Sequence, residues 1–98
     1  AYEECMFYEL SKYNLKIEKQ KCLPLIYEEV QLEAGYRIDL MIEAKFIVEI
    51  KSVEALNDVH LAQILTYLRL SHCKLGLLIN FNVKLLKEGT KRVINGTL

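Results

Sequence analysis

The sequence predicts a mixed α/β (α+β) fold, a central sheet flanked by helices, and three observations predict it. Residues 36–52 (YRIDLMIEAKFIVEIKS) hold two runs in which apolar residues alternate at period two. Residues 2–13 and 57–70 carry their apolar residues at helical spacing instead. Leu75–Asn80 is a short continuous apolar run, the pattern of a strand covered on both faces. The order helix, strands, helix, strand favours layers packed on one core, with the last strand parallel to a neighbour in the central sheet.

In residues 2–13, Tyr2, Met6, Leu10 and Tyr13 form one helical stripe, overlapped by Glu3, Phe7 and Leu10. Glu3 lies at the margin of the buried face, where a first-turn glutamate also complements the helix dipole. Asn14 tolerates left-handed backbone and makes a helix end. Residues 15–22 alternate weakly, as an exposed extended segment does, and Pro24 limits pairing to an edge. Leu25-Ile26-Tyr27 and Val30-Gln31-Leu32 read as two short strand pieces around a polar turn at Glu28-Glu29. Gly35 then frees the chain for a turn into the central hairpin.

In that hairpin Ile38, Leu40 and Ile42 alternate with Arg37, Asp39, Met41 and Glu43, and Phe46, Val48 and Ile50 with Ile47, Glu49 and Lys51. Side chains change face at every residue, so bringing both apolar sets to one face requires an odd-numbered loop. With Glu43, Ala44 and Lys45 as the loop, Ile42 faces Phe46, Leu40 faces Val48 and Ile38 faces Ile50. Asp39 then lies opposite Glu49, with Lys51 on the same face. One or both helices cover the apolar face, and the other opens at these three charges.

Opposed carboxylates with Cβ atoms roughly 4.5–5.5 Å apart repel unless something positive sits between them. A hard cation such as Mg²⁺ meets the need, taking one or two carboxylates and filling its other positions with water and phosphate oxygens. The Ile50 carbonyl would complete the protein's share. An ammonium at Lys51 would orient or help deprotonate an attacking water and stabilise charge on a phosphate. That is the layout of a phosphodiesterase. The competing reading is a solvated sheet face with a cross-strand salt bridge. Arg37, on the face of Asp39, either pairs with that carboxylate or meets substrate.

Beyond Ser52 the period becomes helical. Asn57 or Asp58 caps a helix running to about Leu70, with Leu61, Ile64, Leu65 and Leu68 as its apolar stripe. His60, Gln63 and Tyr67 share a neighbouring face. His60 reads as an exposed or internally satisfied histidine before it reads as a ligand. Residues 83–88 form a loop or helical turn, and residues 92–94 a last short strand.

Thirteen basic and thirteen acidic residues give a formal net charge of zero. The chain therefore lacks the basic excess that drives strong non-specific binding to nucleic acid. Lys16, Lys19 and Lys21, and Lys84, Lys87, Lys91 and Arg92, cluster locally, either as a solubilising surface or as phosphate contacts. The 98 residues are expected to form a single domain around one core. No apolar run approaches the roughly 18–20 residues needed to cross a bilayer and no leader pattern is present, so the expectation is a cytoplasmic protein with no membrane partner. Cys5, Cys22 and Cys73 are odd in number and lack ligand spacing, which argues against a disulfide framework or a zinc site. A cysteine hydrolase pairing Cys73 with His72 is disfavoured, since neighbours on a strand point to opposite faces.

Asp39, nine intervening residues and then Glu49-Ile50-Lys51 resemble the D…(D/E)-x-K signature of the PD-(D/E)XK nuclease superfamily. YEEC near the start, YRIDL, FIVEIKSVEAL, HLAQILTYL, LGLLINF and KRVIN together resemble the small bacterial GxxExxY proteins of that superfamily, over nearly the whole chain. Gln63 and Tyr67 resemble the Q-x-x-x-Y element that borders the active site in its exonuclease branch; the other reading is a polar rim. The resemblance implies a restriction-endonuclease-like αβββαβ core. It implies Mg²⁺ or Mn²⁺ held by Asp39, Glu49 and the Ile50 carbonyl, with Glu3 as an outer ligand, and catalysis by Asp39, Glu49, Lys51, Gln63 and Tyr67. It also implies nucleic acid as partner, DNA before RNA, and leaves open a homodimer that cuts two strands. If Tyr2 is the Tyr of GxxExxY, that motif's Gly and Glu would fall before Ala1, and the resemblance then implies a start within the family's first helix. The alternative function is a non-catalytic binding or assembly module that retains the nuclease fold.

Overall fold

The computed structural model describes residues 1–97 and, for residues 25–27 and 31–34, the backbone alone. The chain runs α1 (Tyr2–Ser11), β1 (Ile17–Tyr27), β2 (Val30–Ile42), β3 (Phe46–Lys51), α2 (Asp58–Ser71), β4 (Leu75–Asn80), a 3-10 turn (Leu86–Gly89) and β5 (Thr90–Ile94). The strands form one sheet in the order β1-β2-β3-β4-β5. β3 and β4, joined across α2, pair in parallel from Phe46↔Leu75 to Lys51↔Asn80, and every other neighbouring pair is antiparallel. This is a mixed α+β fold with the expected αβββαβ order, extended by β5.

The central hairpin has the expected register, Leu40↔Val48, Met41↔Ile47 and Ile42↔Phe46. Glu43 and Ala44 take left-handed backbone (φ 55° and 53°) in its loop, and the Lys45 N–H donates to the Ile42 carbonyl at 3.0 Å.

Both faces of the sheet are buried. Met6, Phe7 and Leu10 of α1 pack with Leu40, Ile42, Val48 and Ile79 on one face. Ile64, Tyr67 and Leu68 of α2 pack with Met41, Ile47 and Leu78 on the other. The open face expected around Asp39, Glu49 and Lys51 is therefore absent, because a parallel strand pair is covered on both sides. Each fully buried Ile or Leu contributes roughly 1.5–3 kcal/mol, so each helix is held by its own cluster. Ile38 also departs from expectation: it joins the α2 cluster while Leu40 joins the α1 cluster. β2 thus changes face at Asp39, and Ile38 does not share a face with Ile50.

Three further expectations are corrected. α1 stops at Ser11 with Lys12 as its cap, so Tyr13 lies 73% exposed beyond the helix instead of on its stripe; Asn14 follows in left-handed backbone (φ 59°). The separate segments before Gly35 are one hairpin. β1 is a single edge strand whose register shifts between Leu23 and Leu25, around Pro24, and Tyr27↔Val30 closes a two-residue turn with Glu28 and Glu29 both left-handed (φ 46° and 69°). β2 continues through Gly35 without a turn. Among the described residues no helix is long and apolar enough to cross a membrane.

Candidate active site

Asp39 stands where β2 parts from β3. Their ladder ends at Leu40↔Val48, and beyond it side chains take the place of backbone partners. The Asp39 N–H donates to Glu49 Oε2 at 2.7 Å, and the Ile50 N–H donates to Asp39 Oδ2 at 2.8 Å. The two carboxylates are thereby anchored side by side, each by an N–H of the opposite strand. N–H and C=O of one residue in an extended strand point to the same side, so the Ile50 carbonyl faces the same gap.

On the other flank Gln20 lies between the ladder pairs Lys19↔Leu40 and Lys21↔Ile38, level with Asp39, in left-handed backbone (φ 50°). Its Nε2 donates to Glu3 Oε1 and Oε2 at 2.8 and 2.7 Å and reaches Asp39 Oδ1 at 3.4 Å. Glu3, in the first turn of α1, is thus held at the margin of the pair.

Lys51 ends β3 and donates from Nζ to Gln63 Oε1 at 2.7 Å. Gln63 and Tyr67 stand one turn apart on α2. Tyr67 is buried, with its ring centroid 5.5 Å from that of Tyr36. Burial pushes the Tyr67 hydroxyl up; the charges of Glu49 and Asp39 act the same way, and hydrogen bonding with Gln63 opposes them. The start of α2 is fixed by a capping box. The Asn57 side chain accepts from the N–H groups of Val59 and His60, and His60 Nδ1 accepts from the Asn57 N–H at 3.1 Å. His60 is therefore a capping side chain.

Glu49 is only 2% exposed. Burial raises its carboxyl from the ordinary 4.5 to about 8; the Asp39 and Glu3 charges add to this, while the Asp39 N–H and the Lys51 ammonium pull the other way. A bound cation would relieve that conflict. The donors of this set are hard oxygens, two carboxylates and one carbonyl; Asp39 Oδ2 and Oδ1 accept from Ile50 and Gln20, and of the two Glu49 carboxylate oxygens Oε2 accepts from Asp39. This set fits Mg²⁺ or Mn²⁺, which keep several waters beside one or two carboxylates. The described residues contain no group of three or more His, Cys, Asp or Glu that would form a closed metal cage.

Other candidates fall away. Arg37 is exposed and opposite Cys22 in the β1–β2 ladder; among the described residues no ion pair joins it to Asp39, whose oxygens are taken by Ile50 and Gln20. Cys73 is buried with Sγ 3.8 Å from Met41 Sδ, while His72 is exposed on the left-handed cap of α2, so they form no catalytic pair. In the first basic cluster, Lys19 pairs with Glu4 at 3.2 Å and Lys21 with Glu18 at 2.7 Å.

Two polar residues near the site were not singled out by the sequence. Gln20 carries no signal, since EKQK reads as a solvated run. Asn80 does carry one, a polar residue closing an apolar strand. It is 2% exposed and opposite Lys51 in the parallel ladder. Its Oδ1 accepts from the N–H groups of Val53 (3.0 Å) and Asn82 (3.2 Å), and its Nδ2 donates to the Val53 carbonyl (2.9 Å), tying the segment after Lys51 to the end of β4. A groove of about 340 Å³ adjoins it, lined by Glu54, Leu56, Asn80, Val83 and Lys91 among others, and includes none of Asp39, Glu49 and Lys51.

Residues 1–93 match a family profile described as the PD-(D/E)XK nuclease superfamily. No curated protein and no solved structure matches the chain.

Proposed function

The chain belongs to the PD-(D/E)XK nuclease superfamily, and from that premise we propose that it hydrolyses phosphodiester bonds of nucleic acid with a divalent cation as cofactor. The observation that carries this reading is the backbone-anchored pair Asp39 and Glu49 in a gap between strands, on the strand that ends in Lys51. Asp39, Glu49 and the Ile50 carbonyl would hold Mg²⁺ or Mn²⁺, with Glu3 outside them. When bound, such a cation supplies Lewis-acid stabilisation of phosphate charge and makes a water more acidic.

The protein's own groups do the rest. Lys51, restrained by Gln63, orients the attacking water and offsets negative charge growing on the phosphate. Tyr67, kept protonated by burial and by its acidic neighbours, walls the α2 side of the gap. As the water oxygen bonds to phosphorus it releases a proton to solvent, the bond to the leaving oxygen breaks, and that oxygen takes up a proton from solvent. Within the superfamily we place the chain with the small GxxExxY proteins, on YRIDL, FIVEIKSVEAL and LGLLINF, with DNA before RNA as substrate. We take residues 1–98 as one nuclease-like domain, and the free Cys5, Cys22 and Cys73 accord with a cytoplasmic setting.

Asp39→Ala is expected to lower cation-dependent cleavage by about 10²–10³-fold. It should also remove the rise in melting temperature that Mg²⁺ or Mn²⁺ gives the parent. Cleavage at the parent's rate would refute the assignment. A folded parent that neither cuts nucleic acid nor responds to cations would instead be a non-catalytic module.

A further inference from the structure

We propose that Gln20 is a positioning residue that sets the cation affinity of the site by fixing the Asp39 carboxylate and holding Glu3 one amide away from it. The inference rests on the divalent-cation reading above and adds a determinant from β1, outside the D…(D/E)-x-K residues.

The first observation is the backbone. Gln20 is left-handed at φ 50° although β1 and β2 keep one register on both sides of it, Lys19↔Leu40 and Lys21↔Ile38. For a residue other than Gly, that conformation is strained and persists only where the surroundings over-determine it. Here it accompanies a side chain directed at two carboxylates.

The second observation is the donor geometry. The Gln20 amide nitrogen has two hydrogens; Glu3 takes its contacts at 2.8 and 2.7 Å and Asp39 Oδ1 lies at 3.4 Å. Asp39 Oδ2 is already bound by the Ile50 N–H, so the two restraints together fix the plane of the carboxylate. A ligand held in one orientation has less freedom to lose when a cation binds, and outer-shell partners of this kind typically contribute 10–100-fold to affinity.

The third observation is charge. A lysine reaching this place would neutralise Asp39 and compete with the cation, whereas a further carboxylate would repel it. Gln20 is neutral, and its neighbours Lys19 and Lys21 are drawn away by Glu4 and Glu18. β1 therefore delivers an amide, with no ammonium, to the margin of the site.

The test is calorimetric titration of Mn²⁺ into the parent, Gln20→Ala and Gln20→Gly, together with melting temperatures in chelator. Both variants are expected to bind Mn²⁺ at least about 10-fold more weakly. Gln20→Gly should melt in chelator no lower than the parent, because Gly accepts left-handed backbone without strain. A merely structural residue would give the opposite result, a lower melting temperature with unchanged Mn²⁺ affinity. Should Gln20→Ala fail to fold, the Gly variant decides. Parental Mn²⁺ affinity in Gln20→Gly overturns the role of Gln20 alone, whereas a parent that binds no Mn²⁺ overturns it together with the cation-dependent nuclease reading.

Discussion

Glu49 is the residue at which burial and charge oppose each other most strongly. Its carboxyl moves from 4.5 to about 8 in the folded chain, so the folded state holds the proton more tightly than the unfolded state does. The stability contributed by that proton is fully present below about 4.5 and is lost as pH rises through about 8. In chelator the protein should therefore lose stability across this window, with a slope approaching about 1.4 kcal/mol per pH unit, measured by urea unfolding over a pH series. Glu49→Gln, which stays neutral, should flatten the dependence. Saturating Mg²⁺ should oppose the loss by competing with the proton for the carboxylate. An unchanged slope in Glu49→Gln would assign the titration to another group. The juxtaposition of Asp39 and Glu49 was legible because hairpin register is local arithmetic, and the one-turn spacing of Gln63 and Tyr67 because helical period is. Gln20 was not, since its direction depends on a backbone reversal inside an otherwise regular polar run.

At the scale of elements, α2 carries Gln63 and Tyr67 of the proposed site and depends on its first turn. Asn57→Ala removes the acceptor of two N–H groups and should cost about 1 kcal/mol in urea unfolding. Gln63 and Tyr67 lie farther along the helix, so cleavage well below the melting temperature should stay at the parental rate. A loss of activity without loss of stability would instead give the cap a direct part in the chemistry. The helix and its cap were readable from Asn57 and the spacing of Leu61, Ile64, Leu65 and Leu68. The β1–β2 hairpin was not, because tight two-residue turns with left-handed backbone usually announce themselves with Asn-Gly, whereas this one uses Glu28 and Glu29. Gly35 misled in the opposite direction, as an interior strand glycine that marks no turn.

In the whole molecule, two apolar clusters clamp the sheet from opposite faces and leave the parting of β2 and β3 as the place where charged groups converge. The parallel pairing of β4 was legible from its apolar run and from the helix that precedes it. The burial of both faces was not fully legible, because Met41 and Ile47 were read as the partners of a polar face. Zero net charge supplies no general positive field, so on the proposed reading nucleic acid would be drawn by local groups such as Lys51. Cleavage of labelled single- and double-stranded DNA and RNA, with Mg²⁺, Mn²⁺ or chelator, comparing the parent with Lys51→Ala, tests the cation-and-lysine mechanism most directly. The predicted result is cation-dependent cutting by the parent, abolished in chelator and reduced about 10²–10³-fold in the variant. Undiminished cutting by Lys51→Ala, or no cutting by the parent with any cation, would contradict it.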